Sequence, residues 1–432
     1  MSSGNPFFEL SAKHTYVGVI RSMSQSEIRS GLKVVYAKEL HPKEVTKSIM
    51  LCGPSPRDKD TTSWRPKAIE LLEKLGYDGH VFVPEPRDGK FSGDYIDQVE
   101  WETAALSQAD SIVFWVPRDM KTMPALTTNV EFGVWADSGK VVLGTPAEAE
   151  HVRYLQYMAT KLKIPNYSTL DATLEEAVQT LGKGALRTGG EAQVPLLVWD
   201  HPTFQRWNTI LKQAGNRLDK ARILWTYRDG PQRDKVFCWV LKVSIWITSE
   251  NRSKTCEFVF GRTDTSSVVL FHKPNLSGYG VLWETEVILV REFRSPGRNQ
   301  TGFVTELPGG SAYDDSVETR QVAIDELKEE TSFSIDPSRL RELSTLQQSA
   351  TLSAHTNTVF YAEVTEAERN KLVALDQSGK TFGVEKDTER TYVKVQTVRE
   401  MVFGGLVDWS TLGMVLLSIM DSTEPPGPYT VY

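Results

Sequence analysis

Ser111–Gly133 reads SIVFWVPRDMKTMPALTTNVEFG. After Ser111 the run Ile112–Val116 is wholly apolar, as expected of a strand buried on both faces. Pro117-Arg118-Asp119 stops it, and a helical pattern starts at Asn129 and runs to Ala136. The same order of strand, turn and helix repeats on either side. Ser48–Cys52 is a short apolar strand ended by Gly53-Pro54, and Trp64–Leu75 carries apolar residues at 68, 69, 71, 72 and 75, with Gly76 in the capping place. His80–Val83, a helix over Tyr95–Leu106 and the strand Lys140–Gly144 complete the series, and Lys33–Lys38 reads as a further short strand. Alternation of this kind predicts an α/β domain with a doubly wound parallel sheet, whose ligands bind past the carboxyl ends of the strands.

Composition narrows the function. The chain has 432 residues, enough for two or three domains, and 40% are hydrophobic, enough for full cores. A net charge of −7 argues against a protein that binds nucleic acid polymers over its whole surface. Cys52, Cys238 and Cys256 share no metal-like spacing and read as reduced thiols. Residues 1–14, MSSGNPFFELSAKH, lack the basic and apolar segments of a secretory signal, and no apolar run approaches the roughly 20 residues of a membrane span. The expectation is a cytoplasmic protein with no membrane partner.

Several words in the first third fall in a telling order: Leu51-Cys52-Gly53-Pro54-Ser55, Asp110, Pro117-Arg118-Asp119, and Asn129-Val130-Glu131-Phe132-Gly133. Residues 47–150 thereby resemble the nucleoside 2-deoxyribosyltransferases and their nucleotide N-glycosidase relatives, with a flavodoxin-like fold. The resemblance implies that Glu131 attacks the sugar's anomeric carbon, where an ionised carboxylate stabilises the developing positive charge or bonds to it. With a helix starting at Asn129, the dipole would keep Glu131 ionised. The resemblance also implies that Asp119 lies near the base or protonates it, and that Glu102, where the transferases usually carry Asp, touches sugar or base. Gly53, Ser55, Arg87, Asp88 and Asn129 would belong to the substrate pocket, which needs no cofactor. Arg57, Arg65, Arg87 and Arg118 flank strand ends or helix starts and are candidates for a phosphate site.

Past a linker at 187–194 the character changes. Val236–Ile247, Thr255–Gly261, Ser267–His272, Gly278–Trp283 and Glu286–Arg291 read as antiparallel strands. Val304–Phe333, VTELPGGSAYDDSVETRQVAIDELKEETSF, gives a strand, a Gly-rich turn and an acidic helix over 316–330, capped near Asp314-Asp315-Ser316. Glu326, Glu329 and Glu330 share one helical face, and carboxylates so placed repel unless a cation sits among them. The stretch resembles the Nudix box. The resemblance implies a C-terminal α/β/α sandwich and a Mg²⁺ or Mn²⁺ ion on Glu326, Glu329 and Glu330. Arg291, Arg294 and Glu306 would shape its substrate site, with Ser353, His355, Glu385 and Glu389 as further contacts. Three departures weaken hydrolysis: Asp325 replaces the motif's Arg, Ser332 replaces its Gly, and one extra residue lies between Gly310 and Glu326.

The chain thus divides into an arm at 1–46, a deoxyribosyltransferase-like domain at 47–186, the linker, a Nudix-like domain with a β extension at 195–425, and a tail at 426–432. The function expected is cleavage or transfer at an N-glycosidic bond through Glu131, beside a domain that binds or hydrolyses a nucleoside diphosphate derivative. The alternative is a sensor or scaffold for a nucleotide of the ADP-ribose or NAD kind. The partners expected are a nucleoside or nucleotide and further copies of the chain.

Overall fold

The structure, a computed structural model, describes residues 31–58, 60–89, 94–229, 235–278, 280–311, 317–383 and 389–423. Most of the arm, the helix cap at 314–316, Glu385 and the tail lie outside them. Among the described residues no helix is long and apolar enough to cross a membrane.

The first domain is built on six parallel strands: β1 (Lys33–Tyr36), β2 (Ser48–Cys52), β3 (His80–Val83), β4 (Ser111–Trp115), β5 (Val141–Gly144) and β6 (Asn166–Tyr167). Their order is β1-β3-β2-β4-β5-β6. With edge strand β1 set aside, this is the 2-1-3-4-5 order of doubly wound sheets, with the switch point between β2 and β4. Helices α1 (Arg65–Lys74) and α5 (Leu170–Leu181) pack one face through Ala68, Leu72, Leu174 and Ala177. The other face is covered by α2 (Tyr95–Gln108), α3 (Leu126–Trp135) and α4 (Arg153–Leu162), which bury Trp101, Ala105, Phe132, Leu155 and Ala159. The strands read as continuous apolar runs because both faces are buried.

The segment expected as a linker is packed instead. Arg187 is fully buried and forms a two-pronged ion pair with Asp110, at 2.7 Å for each guanidinium nitrogen. Asp110 also accepts from the Ser48 hydroxyl (2.9 Å) and the Leu196 amide (2.7 Å). A buried carboxylate with this many donors fixes the chain's exit from the first domain, so residues 187–196 are part of a core and not a tether.

Beyond it α6 (Pro202–Gln213) packs on an antiparallel sheet of β7 (Arg217–Asp229), β8 (Lys235–Ile247) and β9 (Arg252–Arg262), around Phe204, Trp239 and Leu241. The last body is a mixed sheet: β10 (Thr265–His272), β11 (Glu286–Phe293), β12 (Phe303–Glu306), β13 (Gly309–Gly310), β14 (Arg341–Leu346), β15 (Asn357–Glu363), β16 (Thr381–Phe382) and β17 (Thr391–Thr397). Helices α7 (Thr319–Thr331) and α8 (Glu366–Ser378) lie on one face of it, and α9 (Val398–Gly404) and α10 (Trp409–Asp421) on the other. One predicted strand is corrected. Gly280–Glu284 is a short helix, in which Trp283 stacks on Phe403.

Candidate active site

At the switch point β2 ends in Gly53, whose φ of +146° and closeness to the Trp115 carbonyl leave no room for a side chain: a Cβ would stand 2.1 Å from that oxygen. The chain therefore opens a pocket of about 260 Å³ between β2, α2 and α3. Arg65, at the start of α1, forms its floor. It is 1% exposed, lies against the Trp64 ring, and donates to the carbonyls of Leu51 (3.1 Å) and Gly53 (2.7 Å), to Ser55 Oγ (3.0 Å) and to Glu85.

Two carboxyls face each other across this pocket. Glu102 of α2 and Glu131 of α3 share a hydrogen bond. Gln98, one turn before Glu102, donates to it at 2.6 Å. Burial, with the nearby Glu102 charge, pushes Glu131 up to about 7, while Arg65 pulls it down. Burial also raises Glu102, against the Gln98 bond and Arg65. Two carboxyls this close cannot both ionise easily, so the pair retains a proton toward neutral pH. The helix-dipole expectation is corrected. The helix starts at Leu126, which puts Glu131 in its second turn, and burial makes its ionisation harder.

Of the residues expected here, Gly53, Ser55, Glu102 and Glu131 line the pocket. Asp119 does not. It is exposed, its Oδ1 accepts from the Lys121 and Thr122 amides and the Thr122 hydroxyl, and these bonds hold its carboxyl below the usual range. Arg87 forms a two-pronged pair with Glu39 and stacks on Tyr36 away from the pocket, and the exposed Asp88 is likewise absent from the lining. Asn129 points elsewhere, accepting from the buried Arg118. Of the four candidate phosphate arginines, only Arg57 and Arg65 reach the pocket. Gln98, Tyr95 and Thr128 also line it and were not singled out from sequence. The signal for Gln98 was present, a polar residue one helical turn from Glu102 on the same face.

The acidic helix α7 borders a second pocket, of about 620 Å³. Gly310 lets Glu326 lie against the backbone, where a Cβ would stand 2.2 Å from its Oε1. Glu326 and Glu329 line this pocket with Glu306, Glu389 and Arg294. Arg294 bridges Glu306 (2.6 Å) and Glu292 (2.8 Å). Burial, Glu329, Glu389 and Asp325 push Glu326 up to about 7. Two expected site residues are corrected. Glu330 is 3% exposed, accepts from the Gly309 amide at 2.9 Å, and is kept well above the usual carboxylate range by burial, so it stands behind the pocket. Arg291 lies over the Phe303 ring, outside the lining. Glu318, Ser353 and His355 are also absent from it. Ser332 ends α7 with φ +56°, the left-handed place where glycine is favoured. Among the described residues no three His, Cys, Asp or Glu side chains are gathered as a metal site. Glu306, Glu326, Glu329 and Glu389 share the lining with Arg262 and Arg294, so part of their charge is already matched.

Residues 46–149 match the family described as nucleoside 2-deoxyribosyltransferase like. The match covers the first five strands except β1 and includes both carboxyls of the pair, and it stops before the two later sheets. No curated protein matches the chain. Over residues 46–149 the chain is thus similar to nucleoside 2-deoxyribosyltransferase-like proteins, which supports a nucleoside-processing activity in general.

Proposed function

We propose that the first domain cleaves, or transfers at, the N-glycosidic bond of a nucleoside or nucleotide, with Glu131 as nucleophile. The observation that carries this reading is the Glu102–Glu131 pair over Arg65, in a domain that matches nucleoside 2-deoxyribosyltransferase-like proteins. The pair enters the reaction holding one proton, which rests on Glu131 in the free protein and passes to Glu102 when the sugar docks. Ionised Glu131 attacks the anomeric carbon, the C–N bonding electrons leave with the base, and Glu102 gives its proton to the base nitrogen. The result is a glycosyl ester of Glu131. Glu102, now a carboxylate, takes a proton from water or from the N–H of a second base, whose lone pair displaces the ester and frees Glu131. Arg65 limits the cost of two acids in one pocket by lowering both. The test is release of free base from a panel of nucleosides and nucleotides. Release that disappears in Glu131→Ala supports the reading, whereas no release from any of them, or release undiminished in the variant, refutes it.

The acidic pocket supports a second role, binding of a nucleoside diphosphate derivative through Mg²⁺ or Mn²⁺ on Glu326 and Glu329. When bound, the ion would neutralise diphosphate charge and polarise a water. Glu330, turned onto the Gly309 amide, and Asp325, which accepts from Gln321, favour binding without efficient hydrolysis, the sensor reading. Titration with ADP-ribose and Mg²⁺ separates the two: binding without cleavage to AMP and ribose 5-phosphate supports the sensor, and turnover supports a hydrolase. Self-association is part of the proposal. Leu126, Val130 and Val134 recur every fourth residue along α3 and are exposed, as are Tyr95 and Ile96 on α2 and Tyr154 and Tyr157 on α4. An apolar face of this extent beside the pocket suits a second copy of the chain. Light scattering tests it, and a monomer at assay concentration would contradict it.

A further inference from the structure

The cleft between α2 and the three-stranded sheet belongs to neither pocket described above. Its floor is one face of that sheet. Lys242 on β8 lies directly opposite Arg222 on β7, and Ser244 lies opposite Lys220. Between them Ala221 and Val243, also paired, are buried on the other face. Alternation along a strand therefore turns Lys220, Arg222, Lys242 and Ser244 the same way, into the cleft. Like charges directly opposite each other destabilise a sheet. Among the described residues, none of these three cations forms an ion pair. A sheet that concentrates three unneutralised cations on one concave face is arranged for an anion.

The opposite wall supplies hydrogen-bonding groups. Thr103, Ser107 and Gln108 come from α2, and His41 and Gln193 close the end. Gln193 uses its carboxamide oxygen to accept from the Ala221 amide (3.0 Å), which leaves its NH₂ as a donor. His41 shares Nδ1 with Gln108 (2.8 Å), and its buried Nε2 has no partner. Glu100 is the one carboxylate in the lining. The cleft measures about 440 Å³, within the usual range for small-molecule pockets.

We propose that this cleft is a binding site for the di- or triphosphate group of a small molecule, held by Lys220, Arg222 and Lys242. One carboxylate would leave most of the positive charge unmatched, whereas a polyphosphate matches it and offers paired oxygens to the guanidinium fork. Thr103 follows Glu102 on α2, so a ligand here rests on the helix that carries one carboxyl of the pair. The site stands whether or not the glycosidic reading does.

The test is calorimetric titration of the full chain with inorganic triphosphate in metal-free buffer, and with ADP in a second arm. Saturable binding is expected, weakened about tenfold or more in Arg222→Gln and in Lys242→Gln, since hydrogen bonds to charged groups contribute about 1.5–3 kcal/mol. Lys67→Gln, at an exposed lysine of α1 paired with Glu70 and outside the cleft, should leave it unchanged. Tighter binding of ADP than of triphosphate would point to a nucleotide, and the reverse to a bare polyphosphate; either result supports the site. Both variants change side chains facing the cleft, and a thermal melt checks that each is folded, so that one folded variant suffices. The proposal is overturned if neither probe binds saturably, if binding is indifferent to the folded variants, or if it is lost in Lys67→Gln.

Discussion

Glu102 and Glu131 lie on different helices, yet their carboxyls meet in a hydrogen bond above the buried Arg65 guanidinium. The bond requires one of the two to be protonated. Glu131, pushed up to about 7, makes loss of that proton a near-neutral event. Base release should therefore fall as pH rises above about 7, where the pair loses its last proton and with it the acid that protonates the leaving base. Glu102→Gln should reduce the rate by roughly a hundredfold or more, the usual size of a general acid–base contribution. It should also shift or abolish that alkaline limb, because an amide cannot exchange the proton. A pH–rate profile of both proteins checks this.

Stability should carry the same signature. A carboxyl whose folded pKa is raised from 4.5 to about 7 binds more protons in the folded than in the unfolded state between those values. Folding stability therefore declines as pH rises through that window. Glu131→Gln removes the penalty. The variant should gain about 3 kcal/mol over the parent at pH 8 and little at pH 4. Urea unfolding at the two pH values measures the difference, and an equal effect at both would show that burial of charge is not its cause.

The Asp110–Arg187 pair ties the first domain to the segment that leads into the three-stranded sheet. Both side chains are fully buried. Removing one partner leaves a charge in the core, so Arg187→Ala should cost about 3–5 kcal/mol. Unfolding monitored by tryptophan fluorescence would show it. The double replacement Asp110→Leu with Arg187→Met should recover part of the loss, because it removes both charges.

In the acidic pocket the neighbouring carboxyls behave differently. Glu326, held near 7, must lose its proton to take a cation, so Mg²⁺ or Mn²⁺ affinity should rise between about pH 6 and 8 with proton release. Glu326→Gln should weaken binding about tenfold or more. Glu330, whose ionisation burial disfavours and which accepts from the Gly309 amide, should tolerate Glu330→Gln with little change in affinity. Calorimetry in buffers of different ionisation enthalpy reads both quantities.

The parallel sheet was legible because its strands are buried on both faces and read as plain apolar runs, as in Ile112–Val116. Gly53 and Glu131 were legible through the words around them. The meeting of Glu102 with Glu131 was not, because it depends on how α2 and α3 lie side by side over the sheet. Asp119 illustrates the opposite limit: it stands in a recognisable word, but its carboxylate is consumed by the turn it closes. Arg187 looked like part of a linker because Gly189-Gly190 comes soon after it, and nothing local marks it as the partner of Asp110. Gly280–Glu284 is rich in strand-forming residues, and tertiary packing of Trp283 on Phe403 makes it a helix.

A nucleophilic Glu131 bonds to the sugar during turnover. The direct measurement is acid quenching of the protein during turnover of a substrate found in the base-release panel, followed by peptide mapping by mass spectrometry. A glycosyl adduct is expected on the peptide carrying Glu131, absent from Glu131→Gln, with base release lost in the same variant. An adduct on another residue, or base release that persists in Glu131→Gln, would contradict it.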